Sequence, residues 1–218
     1  MSEVGMSDVF AAIDAGDDAA AVAMVTDDPQ IARVVGGADG VTPVLHAMYR
    51  HKFDLAKALA TAAGRLDFAD AAAVDDVDQV RGHLAAGVAP DQRTGDGFTP
   101  LQLAAYFGAP AAAAELIHAG ADVNAIAENP LRIQPLHAAT SGGHTDVAIL
   151  LIDAGAEVGG KQRHGWTPLH SAAANGNAVL VDRLIAAGAD GHATNDDGHT
   201  SADVAAEHGH EDIAARLR

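Results

Sequence analysis

Short apolar runs punctuated by glycine set the pattern of this chain. The clearest unit, residues 165–176, reads Gly-Trp-Thr-Pro-Leu-His-Ser-Ala-Ala-Ala-Asn-Gly. Thr167 stands where a side-chain oxygen caps a helix. Pro168 takes the first helical position, where a missing N–H is harmless. Ala172 and Ala173 let a neighbouring helix approach closely, and Gly176 suits the left-handed conformation that ends a helix. A second apolar run, Val179 to Ile185, is closed by Gly188. The pattern predicts two short helices joined by a turn, neither long enough to be stable alone.

The unit recurs. Taking Thr167 as anchor, counterparts fall at Ser7, Thr42, Leu66, Thr99, Gln134 and Thr200. Spacings of 33 residues separate 66 from 99, 134 from 167 and 167 from 200, and 35 separate 99 from 134. A fixed period of this size marks a stacked repeat protein. Alanine follows every anchor by five residues, from Ala12 and Ala47 through Ala172 and Ala205. A larger side chain there would push adjacent inner helices apart.

Thr-Pro-Leu-His at 167–170, Gln-Pro-Leu-His at 134–137, Thr-Pro-Leu-Gln at 99–102 and Gly-Ala-Asp-Val-Asn at 120–124 lie in phase. With them the chain resembles the ankyrin repeat family, most clearly over residues 87–209. The resemblance implies an all-α solenoid of about seven helix–turn–helix repeats. Short β-turn or hairpin fingers would project from it, and the curved stack would have a concave face. It implies a disordered lead-in at 1–6 and a single repeat domain at 7–218, its first three repeats degenerate and its first and last capping. Thr42, Thr99, Thr167 and Thr200 would then cap inner helices. His137 and His170 would bridge adjacent repeats, and Gly108, Gly143, Gly176 and Gly209 would make the turns.

The irregular positions carry expectations of their own. Ser7-Asp8 is read as the first cap. In the second repeat Leu45 stands where the family has His, and His51 replaces the turn glycine. The next anchor comes only 24 residues after Thr42, so the finger between the second and third repeats is missing or very short. A kink or register change is expected between 60 and 70. Asp75 stands where glycine is usual, and the finger at 125–133 carries two extra residues and Pro130.

Composition narrows the function. The formal net charge of −17 over 218 residues would repel phosphate, so nucleic acid is not expected as a partner. It would speed association with a basic protein. There is no cysteine, hence no disulfide and no thiolate chemistry. No apolar run approaches bilayer length, and the first residues do not read as a secretory signal. The expectation is a cytoplasmic protein without membrane contact, monomeric unless an aromatic patch drives self-association. Twelve histidines invite a metal hypothesis, but several, such as His137, His144, His170 and His210, stand at repeat positions, and His199, Asp203, His208 and His210 make only a weak candidate. No nucleophile elbow, phosphate loop or zinc-protease motif occurs, so neither catalytic residues nor a cofactor is assigned.

Binding is expected on the concave face. In the ankyrin architecture the residue before each anchor and those seven and eight after it line that surface. Here these include Phe98, Ile133, Trp166 and His199 on the fingers. On the inner helices they include Tyr49, Arg50, Tyr106, Phe107, Asn175 and His208. Aromatics are scarce, yet the only Trp, both Tyr and two of the five Phe fall here. Phe98, Tyr106, Phe107, Ile133 and Trp166 are expected to form one contiguous patch, a mark of partner sites. Arg50, Arg93 and Arg132 would add charged contacts.

The reading that follows is a non-enzymatic protein–protein interaction module: a scaffold, adaptor or inhibitor. Two alternatives stand beside it. One is a small-molecule-binding or catalytic protein using the groove or the irregular 40–70 region. The other is an acidic nucleic-acid mimic that binds a basic enzyme.

Overall fold

The computed structural model describes residues 4–37 and 40–218, with side chains from Asp8 onward. Fourteen α-helices follow one another among these residues, and no sheet forms. Among the described residues two isolated antiparallel bridges, Gly36 with Val41 and Thr194 with Thr200, are the only strand-like pairings.

The helices pair in chain order. An inner row comprises α1 (Val4–Ala15), α3 (Pro43–Tyr49), α5 (Phe68–Ala73), α7 (Pro100–Phe107), α9 (Pro135–Ser141), α11 (Pro168–Ala174) and α13 (Ser201–Glu207). Each packs on its predecessor. The outer partners are α2 (Asp18–Asp27), α4 (Phe53–Ala63), α6 (Val77–Ala85), α8 (Pro110–His118), α10 (Thr145–Asp153), α12 (Ala178–Ala186) and α14 (Glu211–Leu217). One hydrophobic core runs from Val9 to Leu217. Ala47, Ala71, Ala104, Ala139, Ala172 and Ala205 are all fully buried in it, which is why the period demands a small residue there. Leu101, Leu136 and Leu169 are buried beside them. Each such leucine contributes about 1.5–3 kcal/mol of apolar burial. No single pair could enclose this core; stacking does so.

The N-terminus differs from the sequence expectation. Helix α1 begins at Val4, so residues 4–6 are helical and Ser7 lies inside the helix rather than capping it. Residues 1–3 of the expected lead-in lie outside the described residues. Asp17 does cap α2, accepting the Ala20 N–H at 3.1 Å. The segment after α2 opens with a 3-10 turn at Pro29–Arg33.

The third repeat also departs. Asp67, not Leu66, is the residue before α5, while Leu66 is itself buried in the core. Helix α5 is thereby only six residues long. The link from α4 is little more than Gly64 and Arg65, and Gln79 of α6 holds it. The Gln79 amide donates to the Gly64 carbonyl at 3.2 Å and its oxygen accepts the Leu66 N–H at 2.7 Å. No finger is interposed, and α4 and α6 scarcely touch.

The odd residues at the turns have local reasons. His51 and Asp75 hold φ of 58° and 62°, the left-handed conformation that glycine adopts in the later repeats. Asp75 repays that strain across the stack: its carboxylate accepts the Ala112 N–H at 2.7 Å. That N–H belongs to the first turn of α8, whose own flanking residue, Ala109, has no capping side chain.

Candidate protein-binding groove

The missing finger and the short α5 shape the concave face. Alanines 71–73 leave α5 low, so side chains of the second and fourth repeats meet across it. The Tyr49 and Phe107 rings lie 5.7 Å apart. The Tyr49 hydroxyl donates to Asp96 on the next finger at 2.6 Å. Arg50 pairs with Asp14, which also accepts from His46 at 3.0 Å, so the end of α3 is fixed from below. Desolvation pushes the Asp14 carboxyl up, but His46 and Arg50 outweigh it and hold it below the usual carboxylate range.

On the far side stands the long finger. Asn129 folds it over, accepting the Leu131 N–H at 3.0 Å and donating to the Asp96 carbonyl at 2.9 Å. The Glu128 N–H reaches the Gly97 carbonyl at 2.9 Å. This approach requires glycine: a Cβ at Gly97 would sit 2.6 Å from the Glu128 oxygen. Arg132 then takes φ of 51° to return the chain.

Between these walls lies a pocket of about 630 Å³. Tyr49 and Arg50 of the second repeat, Phe98 and Tyr106 of the fourth, and Pro130, Leu131 and Ile133 of the long finger line it. Leu131 is 46% exposed, unusually open for its type in this chain. Asp96 and Asn129 add polar groups to the lining. A pocket of this size and apolar lining accepts a large side chain or a short apolar segment.

Of the ten residues assigned to binding, five line this pocket: Tyr49, Arg50, Phe98, Tyr106 and Ile133. Phe107 turns from it and packs among Tyr49, Phe53 and Tyr106. Trp166 does not line it either; its ring lies against His170 at 5.9 Å, so the expected single patch is divided. The amide of Asn175 is committed to the Thr140 carbonyl at 2.9 Å. His199 pairs with Glu207 at 3.2 Å, and His208 bonds the Val204 carbonyl at 2.9 Å. These three bond within the stack. Sequence reasoning passed over Asp96, Asn129 and Leu131, although the two-residue insertion pointed to the finger that carries Asn129 and Leu131. Arg93 and Arg132 stay outside the pocket, Arg93 pairing with Glu128 at 3.1 Å.

The repeat-position residues hold the fingers in register. Thr42 and Thr99 accept the Leu45 and Gln102 N–H groups at 3.3 and 3.2 Å. Thr200 accepts that of Asp203 at 3.3 Å. Bonds returned by the Thr200 hydroxyl and N–H keep the Asp203 carboxyl below its usual range. Gln102 crosses to the Ala125 and Ile133 carbonyls, both at 2.8 Å. His137 Nε2 donates to the Gly160 carbonyl at 2.9 Å, and His170 Nε2 to that of His199 at 3.1 Å.

The partners of His170 fix its tautomer, because Nδ1 accepts the Thr167 N–H at 3.2 Å and so cannot carry a proton. Burial lowers the affinity of both imidazoles for a proton, against the opposing pull of these carbonyls. Where Gln134 replaces threonine, His137 Nδ1 is buried without a partner among the described residues. Gly108, Gly143, Gly176 and Gly209 all have positive φ, between 68° and 81°. At Gly108 a Cβ would meet the His144 ring at 2.3 Å, so the next repeat's histidine fills the space this glycine leaves.

Among the described residues no three His, Asp or Glu side chains gather in a metal-holding group, and no helix is long and apolar enough to cross a membrane. Comparison with curated proteins finds no match. A family model described as ankyrin repeats, in three copies, matches residues 68–162 and 136–218. That match spans well over half the sequence, begins at the first residue of α5, and takes in every helical pair from there to Leu217. The chain therefore belongs to the ankyrin repeat family.

Proposed function

We propose that this protein is a non-enzymatic interaction module that holds a protein partner on its concave face, with the pocket between Tyr49 and Leu131 as the anchor point. Ankyrin repeats are in general protein–protein interaction modules, and the pocket is what gives this one a place to grip. An apolar side chain of the partner enters between Tyr106 and Leu131. Its neighbours contact Arg50 and Asp96. Interfaces of this kind concentrate their energy in a few buried aromatic contacts. The net charge of −17 favours a partner with a basic surface, drawn in by long-range attraction.

The observation that carries this reading is the exposure of Leu131 and Pro130 on a finger folded toward Tyr106 and Phe98. Capture from native extract, read by mass spectrometry, tests it with three proteins: wild type, Tyr106→Ala/Leu131→Ala, and Trp166→Ala. A protein retained by wild type and Trp166→Ala but lost by the double variant is the expected result. Equal retention by all three places binding elsewhere and refutes the assignment.

A further inference from the structure

The absent finger leaves a second cavity beside α5. In the regular repeats each finger lies against the next and bonds to it, as the Asp196 N–H does to the His164 carbonyl at 3.0 Å. Between the second and third repeats there is no finger. The finger ending at Val41 and the one beginning at Val88 approach each other instead at Gly40 and Gly95. A Cβ at Gly95 would lie 3.4 Å from the Gly40 oxygen. Beside that contact a partly open cleft of about 350 Å³ remains. Leu45 faces it in place of the polar residue that elsewhere crosses to a finger carbonyl, and no finger is here to be reached.

The walls are mostly apolar, with Val35, Val41, Leu45, Phe68 and Val88 among them. One feature does not fit an apolar hole. Asp70 lines the cavity and is 1% exposed. Its Oδ1 accepts the Thr42 hydroxyl at 2.6 Å, but Oδ2 has no hydrogen-bond partner among the described residues. Asp67 lines the same cavity and adds to its negative character. Arg93 also lines the cavity, but its guanidinium pairs with Glu128 and donates to the Gly97 carbonyl at 3.2 Å rather than bonding Asp70. A buried acceptor left unmet is costly, and a donor that meets it regains that cost.

We infer that this cavity is a binding site for a compact organic amine, its ammonium group donating to Asp70 Oδ2 and its apolar body lying against Leu45, Phe68 and Val88. The chemistry follows from the lining. The apolar walls exclude a strongly hydrated ion such as a bare metal. Asp67 and Asp70 disfavour anions, and the one guanidinium on the lining, Arg93, already has Glu128 as its counter-ion. The unpaired oxygen selects a donor, and a positively charged donor forms the stronger bond with a carboxylate, so its arrival draws off the proton that the empty folded site holds. The site is separate from the concave pocket, so its failure would leave the protein-binding reading standing.

The test is titration of the full chain, carrying labelled Leu and Val methyl groups, with 2-phenylethylamine and with 2-phenylethanol. The two probes share an apolar body and differ in charge. Shifts from the amine confined to Val35, Val41, Leu45 and Val88 are expected, with the alcohol weaker on the order of tenfold or more. Asp70→Asn keeps an oxygen for Thr42 and turns an NH2 toward the cavity, so the preference for the amine should vanish. Ala69→Leu, which fills the space, should lose both probes. The inference is overturned if millimolar amine leaves those methyls unmoved or if both probes bind alike. Survival of the amine preference in Asp70→Asn, or of binding in Ala69→Leu, overturns it as well.

Discussion

Replacing Asp70 by Asn should make the protein more stable near neutral pH, and the gain should depend on pH in a defined way. Burial pushes the Asp70 carboxyl from 3.8 up to about 8, with the Thr42 hydrogen bond pulling the other way and the Asp67 charge adding to the rise. The unfolded chain releases this proton near pH 4, whereas the folded chain keeps it until about pH 8. A folded-state pKa above the unfolded one means that stability is fully present below pH 4 and is lost as pH rises toward 8. The loss is about 1.4 kcal/mol per pH unit in that window, so about 3 kcal/mol between pH 5 and pH 7.

Asn has nearly the same shape and no such titration. Its own packing cost is a constant offset, so the pH-dependent part can be isolated by difference. Urea unfolding of wild type and Asp70→Asn at pH 5, 6, 7 and 8 measures it. The variant should gain on wild type steadily up to about pH 8 and level off above it. Parallel stability curves would refute the reasoning, because they would mean that the folded state carries Asp70 ionised and satisfied.

Other outcomes follow from the same contacts. His137 and His170 are held below the usual imidazole pKa, so the folded chain binds fewer protons and stability should fall as pH drops below about 6.5. In an Asp70→Asn background, which removes the opposing carboxyl effect, His137→Gln/His170→Gln should flatten that fall in urea titrations, since Gln102 already makes the cross-finger bonds with an amide. Gly108→Ala should destabilise by about 2–3 kcal/mol in thermal unfolding, combining left-handed strain with the His144 clash, whereas Gly143→Ala meets nothing and should cost about 1 kcal/mol. Asp75→Ala removes the oxygen that caps α8 and should cost about 1 kcal/mol in the same assay.

Periodic alanines, Thr-Pro caps and turn glycines specify this architecture locally, so the sequence alone determined the helical pairs, the solenoid and most of the finger ties. Each of those features acts within one repeat or its immediate neighbour, at a separation the 33-residue period makes visible. The sequence also marked the irregular second and third repeats, through the 24-residue spacing and Leu45. It did not reveal what that irregularity does. A deleted finger and a shortened helix act on residues far apart in the chain. They bring Tyr49 over α5 to Asp96, 47 positions later, and leave Asp70 facing an empty finger's width. Periodicity placed Trp166 and Tyr106 on one face, but ring packing on His170 separated them. Whether a concave-face side chain is free to meet a partner depends on how its neighbours use their hydrogen bonds. Only the packed stack decides that, because the competing partners come from three different repeats.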